Sequence, residues 1–423
     1  MICVIGGGPA GFFAALSARQ ADPLGRVVLL ERGKEVLRKV TVSGGGRCNV
    51  THACFDPRAL SRFYPRGGRE MIGPLTRFGP AETEQWFAEH GVDLKTENDG
   101  RMFPVSDSSA TIVQCLTQAA RSDGVEVRTG TAVAAIERRG DSDGFDIHLA
   151  GGDSLACKAV ILATGGQTSA AARGSGLDLA AALGHTIEPP VPSLFTFKSQ
   201  SPLLQELAGV AVPDVALQIK GPGLSKRGLT QTGPLLITHW GVSGPAVLQL
   251  SSRGARALHD MDYEFELGIA WWPDHTTETA LQALRDWAAG HGRHQVTSGG
   301  PTPLPRRLWG ALCTSVGIAN ERKWAELGRK ESRSLAEALC LTRLPVQGKA
   351  TFKDEFVTCG GVRLKEIDFQ TMGSRVCPGL FAAGEVLDID GLTGGFNFQA
   401  CWTTGWLAGQ GSVAVASPTA PEA

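Results

Sequence analysis

The apolar positions of this chain fall into two textures. Ile2-Cys3-Val4-Ile5, Val27-Val28-Leu29-Leu30 and Ala159-Val160-Ile161-Leu162 are short unbroken apolar runs, which predict strands covered on both faces, as in a parallel sheet. Between the first two, residues 12–19 predict a helix rich in Ala and Leu. Residues 69–90 are helical in pattern, with Pro80 placed to start a helix and Gly91 to stop one, and Ser108 or Ser109 predicts the cap of a helix through Ile112, Cys115 and Leu116. Alternating segments at 125–127, 132–136, 145–149 and 154–157 predict a small antiparallel meander. From 191 to 346 short alternating segments broken by Gly and Pro give way to helical patterns at 276–289 and 318–339, with a loop at 297–305 and Arg306-Arg307 as a solvated end. The last stretch returns to the first texture. Residues 379–388 predict a buried strand closing on Gly384-Glu385, and Gly394-Gly395-Phe396-Asn397 opens a final helix through Trp406 and Leu407, with a frayed small polar tail after Gly411. The pattern predicts an α/β chain in three pieces: a first segment 1–190, an inserted domain 191–346 of strands followed by helices, and a second segment 347–423.

Three glycine-rich stretches carry the candidate chemistry. The first strand runs into Gly6-Gly7-Gly8-Pro9-Ala10-Gly11, a G-x-G-x-x-G turn, and the second strand ends in Glu31, twenty residues past Gly11. Strand, turn, helix, strand and acid in that order are the fingerprint of a dinucleotide fold. Gly6 permits the tight turn, Gly8 lets backbone approach a pyrophosphate, Gly11 allows close helix packing, and Glu31 accepts from a ribose hydroxyl. The second stretch, Ser43-Gly44-Gly45-Gly46-Arg47-Cys48-Asn49, follows a basic run at 32–39; three glycines are entropically costly and suit either a ligand's approach or a flexible turn. The third, Gly394-Gly395, opens a helix whose N-terminus suits a polar ring edge or phosphate.

Composition narrows the field. The 423 residues give room for two or three domains, the net charge is −1, and 20% of residues are charged, which points to neither nucleic acid nor an anionic membrane as the partner of the whole chain. No stretch is apolar enough to span a membrane and the first strand begins at residue 2, so the chain is expected to be cytoplasmic, with no signal peptide. Ten scattered cysteines without C-x-x-C or paired Cys/His spacing exclude a structural zinc, an iron–sulfur cluster and a dithiol motif, so no metal is expected.

These stretches, with Leu162-Ala163-Thr164-Gly165, resemble the BaiN-like flavoproteins, a family that also takes in YhiN-type and aminoacetone-oxidase-like proteins. Residues 100–104, Thr238-His239-Trp240-Gly241-Val242-Ser243-Gly244-Pro245 and the segment 356–362 resemble it too, so the likeness covers nearly the whole chain. The resemblance implies a glutathione-reductase-like FAD-binding Rossmann domain with the inserted domain covering one side of the flavin. It implies FAD contacts from Gly6, Gly8, Pro9, Ala10 and Gly11; from Glu31, Arg32 and Lys39; from Ser43, Gly45, Gly46, Arg47 and Asn49; and from Val133, beside the adenine. It further implies contacts from Ala163, Thr164 and Gly165 near the dinucleotide, Gly384 and Glu385 by the ribityl chain, and Gly394, Gly395, Phe396 and Asn397 at the pyrimidine edge. Cys359 and Cys401 depart from the family pattern.

No second complete dinucleotide turn occurs; Gly174-Ser175-Gly176 and Gly221-Pro222-Gly223 lack the spacing. NAD(P)H would therefore dock transiently, which predicts ping-pong kinetics. Family members are linked to two reactions of one type, reduction of an enone and of uridine in large-subunit ribosomal RNA. Hydride delivery to such a C=C bond needs an acid; oxidation of a small amine such as aminoacetone is the alternative, and a non-catalytic flavin-containing RNA- or partner-binding protein a third. Cys48 is the candidate acid or an inert core thiol, His239 a proton shuttle or an interior histidine, and Arg47 an anion binder or a salt-bridge partner. For RNA, Arg58, Arg62, Arg66 and Arg69, and a second set from Arg306 to Arg333, form two candidate basic surfaces, or else solvated helix faces. No DNA partner is expected, and a small molecule remains the other substrate class.

Overall fold

The computed structural model describes residues 1–140, 144–167, 175–350 and 357–416. Gly174 and Phe356, and the part of the tail beyond 416, lie outside the described residues. The chain divides into two units, Met1–Pro192 with Lys353–Ala423, and Ser193–Phe352.

The first unit is built on a seven-stranded sheet ordered Ile367–Asp368, Gly373–Ser374, Leu380–Ala382, Ala159–Leu162, Ile2–Ile5, Val27–Leu30, Glu126–Arg128. The last five strands run parallel and the first two close the edge antiparallel. Every side chain of Ile2–Ile5, Val27–Leu30 and Ala159–Leu162 is buried, which is what unbroken apolar runs require of a central parallel sheet. Glu126–Arg128 corrects the sequence expectation: it pairs in parallel with Val28–Leu30 at the sheet edge and does not belong to the meander. None of its three residues is buried and Val127 is exposed, as at a sheet edge. The meander proper is Val133–Arg138, Phe145–Leu149 and Ser154–Cys157, all antiparallel. Residues 69–90 resolve into two helices, Gly68–Arg77 and Pro80–Glu89. Ser108 is the N-cap of Ser109–Ser122 but its side chain makes no capping bond, and Ser109 Oγ instead donates to Thr41 O at 2.8 Å.

Helix Pro9–Ala21 packs against the C-terminal helix Phe396–Ala416 at close range. A Cβ on Gly405 would fall 2.5 Å from Ala10 O, and one on Gly409 2.4 Å from Ala14 O, so two glycines four apart let the backbones touch. Buried Trp402 packs on Phe13 with ring centroids 4.6 Å apart and donates from Nε1 to Val50 O at 2.9 Å, which joins an apolar contact to a satisfied polar tip. Ser17 Oγ, donating to Trp406 O at 2.7 Å, locks the same pair of helices.

The second unit has its own seven-stranded sheet, ordered Thr342–Gln347, Glu264–Ala270, Ala211–Ile219, Leu229–Thr238, Gly241–Ser243, Thr196–Lys198, Lys349–Ala350. Its helices lie between its strands in sequence: Pro245–Arg253 and Ala255–Asp260 precede Glu264–Ala270, and Thr277–His291, Arg306–Ser315 and Arg329–Cys340 precede Thr342–Gln347. The helical pattern at 318–339 is realised only from Arg329; Gly328 breaks it, and a single 3-10 turn, Trp324–Glu326, precedes. Arg306 and Arg307 are exposed, as expected of a solvated end, and form the first turn of the helix Arg306–Ser315.

Candidate dinucleotide site

The turn after the first strand separates its glycines by what surrounds each. Gly6 has φ +115°, and a Cβ there would sit 2.3 Å from Ala163 O; a Cβ on Gly11 would sit 1.9 Å from Gly6 O. Protein backbone therefore fills the space at both. Nothing lies within 4 Å of where a Cβ on Gly8 would be. Gly8 is also the N-cap of Pro9–Ala21, makes no side-chain capping bond, and leaves the helix's first N–H groups to whatever occupies that opening. Pro9 at the first helical position matches its fixed φ to the helix, and Ala10 is buried.

Glu31 is held in place by backbone. Its carboxylate accepts from Gly7 N at 2.8 Å and Gly33 N at 2.6 Å, and Thr131 N donates to Glu31 O at 2.8 Å, which ties the acid to the segment leading into buried Val133. Arg32 is exposed. Lys39 pairs with Glu385. Burial opposes the ammonium charge, but the Glu385 carboxylate outweighs it and holds the lysine above its ordinary value.

The loop Ser43–Gly46 winds through a tight turn in which Gly44, Gly45 and Gly46 all have positive φ, at 58°, 68° and 84°. Beside Gly45 and Gly46 a Cβ would meet nothing within 4 Å. The loop is pinned on its far side. Ser43 Oγ donates to Val40 O at 2.8 Å, and Cys48 N to Ser43 O at 3.1 Å. Asn49, with its amide oriented to satisfy both ends, accepts from Gly395 N at 2.9 Å and donates to Thr51 O at 3.0 Å. That bond carries the loop to the start of the C-terminal helix. There Gly394 and Gly395 have φ of 133° and 91°, and a Cβ on Gly395 would lie 2.4 Å from Thr51 O. Gly384 has φ +73° and would bring a Cβ to 2.7 Å from Ala10 Cβ; Ala163 is buried, Gly165 has φ +75°, and a Cβ there would approach Glu385 Oε2 at 3.9 Å. Three segments more than a hundred residues apart thus meet around the first turn.

At two expected contact residues the side chains are committed within the protein. The Phe396 ring is buried in a stack with Phe63, centroids 4.3 Å apart, and with His52, at 4.9 Å. The Asn397 side chain is committed to Gly391, accepting from its N–H at 2.7 Å and donating to its O at 2.9 Å.

The three catalytic candidates fare differently. Cys48 is fully buried at φ +59°, and burial pushes its thiol up to about 12, against a small opposing hydrogen bond from Ser43. Burial and the raised pKa make this thiol a weak acid and favour its packing role. Arg47 stacks on Phe103, 4.0 Å from the ring centroid, and its guanidinium bonds Glu97 at 2.6 Å and Asp107 at 2.5 Å, so the salt-bridge alternative is the one observed. His239 is exposed on the turn between Leu229–Thr238 and Gly241–Ser243 in the second unit, next to Trp240, which is 51% exposed; it is not an interior histidine.

Sequence reading missed the polar frame behind the loop. Buried Asp390 pairs with Arg66, and Gln399 accepts from Thr51 at 2.5 Å and Thr83 at 3.1 Å while donating to Thr403 at 3.0 Å. Most of these partners lie more than three hundred residues apart, beyond any local spacing signal. Arg66 itself, assigned to a basic surface, is mostly buried; burial works against its charge and the Asp390 bond more than restores it.

The open flank at Gly8, Gly45 and Gly46, and a buried Thr164 hydroxyl with no partner among the described residues, fit a bound dinucleotide. Among the described residues no group of His, Cys, Asp or Glu is arranged to hold a metal ion, all ten cysteines are free, and no helix is long and apolar enough to cross a membrane. The HI0933-like protein Rossmann domain model matches residues 1–411. The chain is 31% identical over 414 residues to a 3-dehydro-bile acid delta(4,6)-reductase of Clostridium scindens, covering 97% of this chain and 98% of the relative. It is 32% identical over 419 residues to a ribosomal RNA dihydrouridine synthase of Escherichia coli, covering 98% of each. The solved 3-ketosteroid-delta4-(5alpha)-dehydrogenase of Rhodococcus jostii shares the fold, with a TM-score of 0.50 and 15% identity across 97% of this chain and 96% of that one. The chain belongs to the HI0933-like Rossmann family, and its first unit is the FAD-binding Rossmann domain of an FAD-dependent oxidoreductase.

Proposed function

We propose that the protein is an NAD(P)H-linked reductase of an activated C=C bond, with uridine in large-subunit ribosomal RNA as the acceptor and dihydrouridine as the product. The observation that carries this reading is the end-to-end likeness to two relatives, one named a bile-acid reductase and one a dihydrouridine synthase, whose printed activities share the saturation of a conjugated C=C bond. FAD, when bound, supplies hydride chemistry between a nicotinamide donor and the acceptor. Gly6, Gly8 and Gly11 with the N-terminus of Pro9–Ala21 hold its pyrophosphate, Glu31 its ribose, and Gly45, Gly46 and the N–H groups of Gly395 to Asn397 the ring end. Thr164 Oγ1 gains a partner there.

The acceptor carbon next to the one that takes hydride needs a proton. Cys48 is withdrawn from that role by its burial, and Arg47 by its two carboxylates. His239 keeps it: the side chain is exposed on a turn held by Thr238 Oγ1, which donates to Gly241 O at 3.3 Å. The described residues hold no second dinucleotide turn, so the nicotinamide leaves before the acceptor enters. The localisation consistent with an RNA acceptor is cytoplasmic.

The test is anaerobic reduction of the holoprotein by NADPH, followed by unmodified ribosomal RNA, with flavin absorbance at about 450 nm and RNA dihydrouridine content as readouts. Reoxidation with dihydrouridine formed is the expected result. A flavin that stays reduced with RNA, and is reoxidised by a small enone or by oxygen with an amine consumed, overturns the RNA assignment.

A further inference from the structure

Residues 293–333 in the second unit hold eight lysines and arginines against three glutamates, in a chain whose net charge is −1. The fold gathers this excess. Trp309, in the first turns of Arg306–Ser315, donates from Nε1 to Val296 O at 2.7 Å; Val296 N donates to Arg322 O at 2.9 Å; and Gln295 bridges Lys323. Arg322 reaches Glu331, in the first turn of Arg329–Cys340, at 3.1 Å, and the Trp309 and Trp324 rings pack with centroids 6.3 Å apart. Both helix N-termini are therefore anchored to one short bridge, with Arg306-Arg307 opening one helix and Arg329-Lys330 the other.

Ordinary solvated helix faces pair their charges, and Arg333 does so with Glu337 at 3.0 Å. Arg306, Arg307, Lys323, Arg329 and Lys330 do not: all five are exposed and make no ion pair among the described residues. A cation in the first turn also opposes the helix dipole, so stability of the helix does not account for four of them. None of the exposed large apolar side chains falls between 293 and 333, which leaves the face without the apolar centre of a protein–protein interface. Polar, cationic and rich in arginine is the character of a surface that meets phosphates.

We propose that this face binds the phosphodiester backbone of structured RNA, holding the substrate by phosphate contacts that carry no sequence information. The inference rests on the RNA reading above and adds the surface that would capture it. The holoprotein is titrated with a large-subunit ribosomal RNA fragment over a range of salt, alongside a variant combining Arg306→Gln, Arg307→Gln, Arg329→Gln and Lys330→Gln, and each helix's pair alone. The combined variant is expected to bind about tenfold or more weakly at moderate salt, with the slope of log affinity against log salt shallower by roughly 0.7–0.9 per lost contact. Its flavin reduction by NADPH stays unchanged, and each pair gives about half the loss in slope. Unchanged affinity and slope overturn the proposal. Displacement of the RNA by poly-glutamate at equal charge also overturns it and assigns the face to acidic proteins. Dihydrouridine formed by the wild type in the same samples separates the two ideas: binding through this face without product defeats the RNA-reductase reading alone, while product with unchanged binding by the variant defeats the surface alone.

Discussion

Two glycine-rich stretches of the first unit look alike in sequence and differ in what makes them glycine. At Gly6 and Gly11 the space a side chain would take is filled by the protein's own backbone, at 2.3 Å and 1.9 Å from the nearest atom. At Gly45 and Gly46 it is filled by nothing. The first pair is required by packing, the second by its positive φ, which leaves its flank open. Gly8 stands in the first stretch but behaves like the second: its φ of −89° suits any residue, and its flank is empty. Under the function proposed above, these open flanks are where the dinucleotide would rest.

The largest effect should come from Gly11→Val, which drives a side chain into Gly6 O. Overpacking against immobile backbone exceeds the usual range of about 1–3 kcal/mol, so little soluble protein should be recovered; a normal melting temperature would show that the turn relaxes and would dissolve the distinction. Gly8→Val should do the reverse. Its melting temperature as apo-protein should match that of the wild-type apo-protein, while flavin is no longer retained. Full flavin recovery would remove Gly8 from the pyrophosphate cradle. Gly45→Val lies between them, since φ +68° costs a side chain about 1–2 kcal/mol whether or not a ligand is present; flavin affinity should fall further than stability.

Cys48 sharpens the contrast from inside the loop. It holds φ +59° without being glycine because its side chain is packed in the core. Cys48→Ala should lower stability by about 1 kcal/mol and leave acceptor turnover unchanged, and the native thiol should resist alkylation. A drop in turnover with intact flavin reduction would restore Cys48 to the mechanism.

The central strands and the first turn were legible because parallel strands buried on both faces are unbroken apolar runs, and because the fingerprint is local. Glu126–Arg128 was misassigned since an edge strand alternates like a meander strand; only its partner, Val28–Leu30, distinguishes the two. In the site, glycine positions could be read, but the commitments of polar side chains could not. Arg47 to Glu97 and Asp107, Arg66 to Asp390, and Asn397 to Gly391 are settled by tertiary neighbours. Exposure of His239 and burial of Cys48 are likewise facts of packing, with no periodic signature in so short a stretch.

The smallest effect concerns the staple that holds the loop's far side. Lys95 and Arg47 bond the Asp107 carboxylate and hold it below its ordinary value. A carboxylate depressed in the folded state contributes above its unfolded pKa, and the contribution is lost as pH falls through the depressed folded value. Amide exchange across 43–49, normalised to the intrinsic rate at each pH, should therefore stay constant from neutral pH down through the ordinary carboxylate range and rise only below it. Asp107→Asn should remove that acid step and leave Arg47 on Glu97 alone, loosening the loop slightly at neutral pH because these side chains are well exposed and screened by solvent. Were exchange to climb already within the ordinary range, the staple would not govern the loop. The positive-φ backbone of Gly44 to Gly46 would then be held by Ser43 and Asn49 alone.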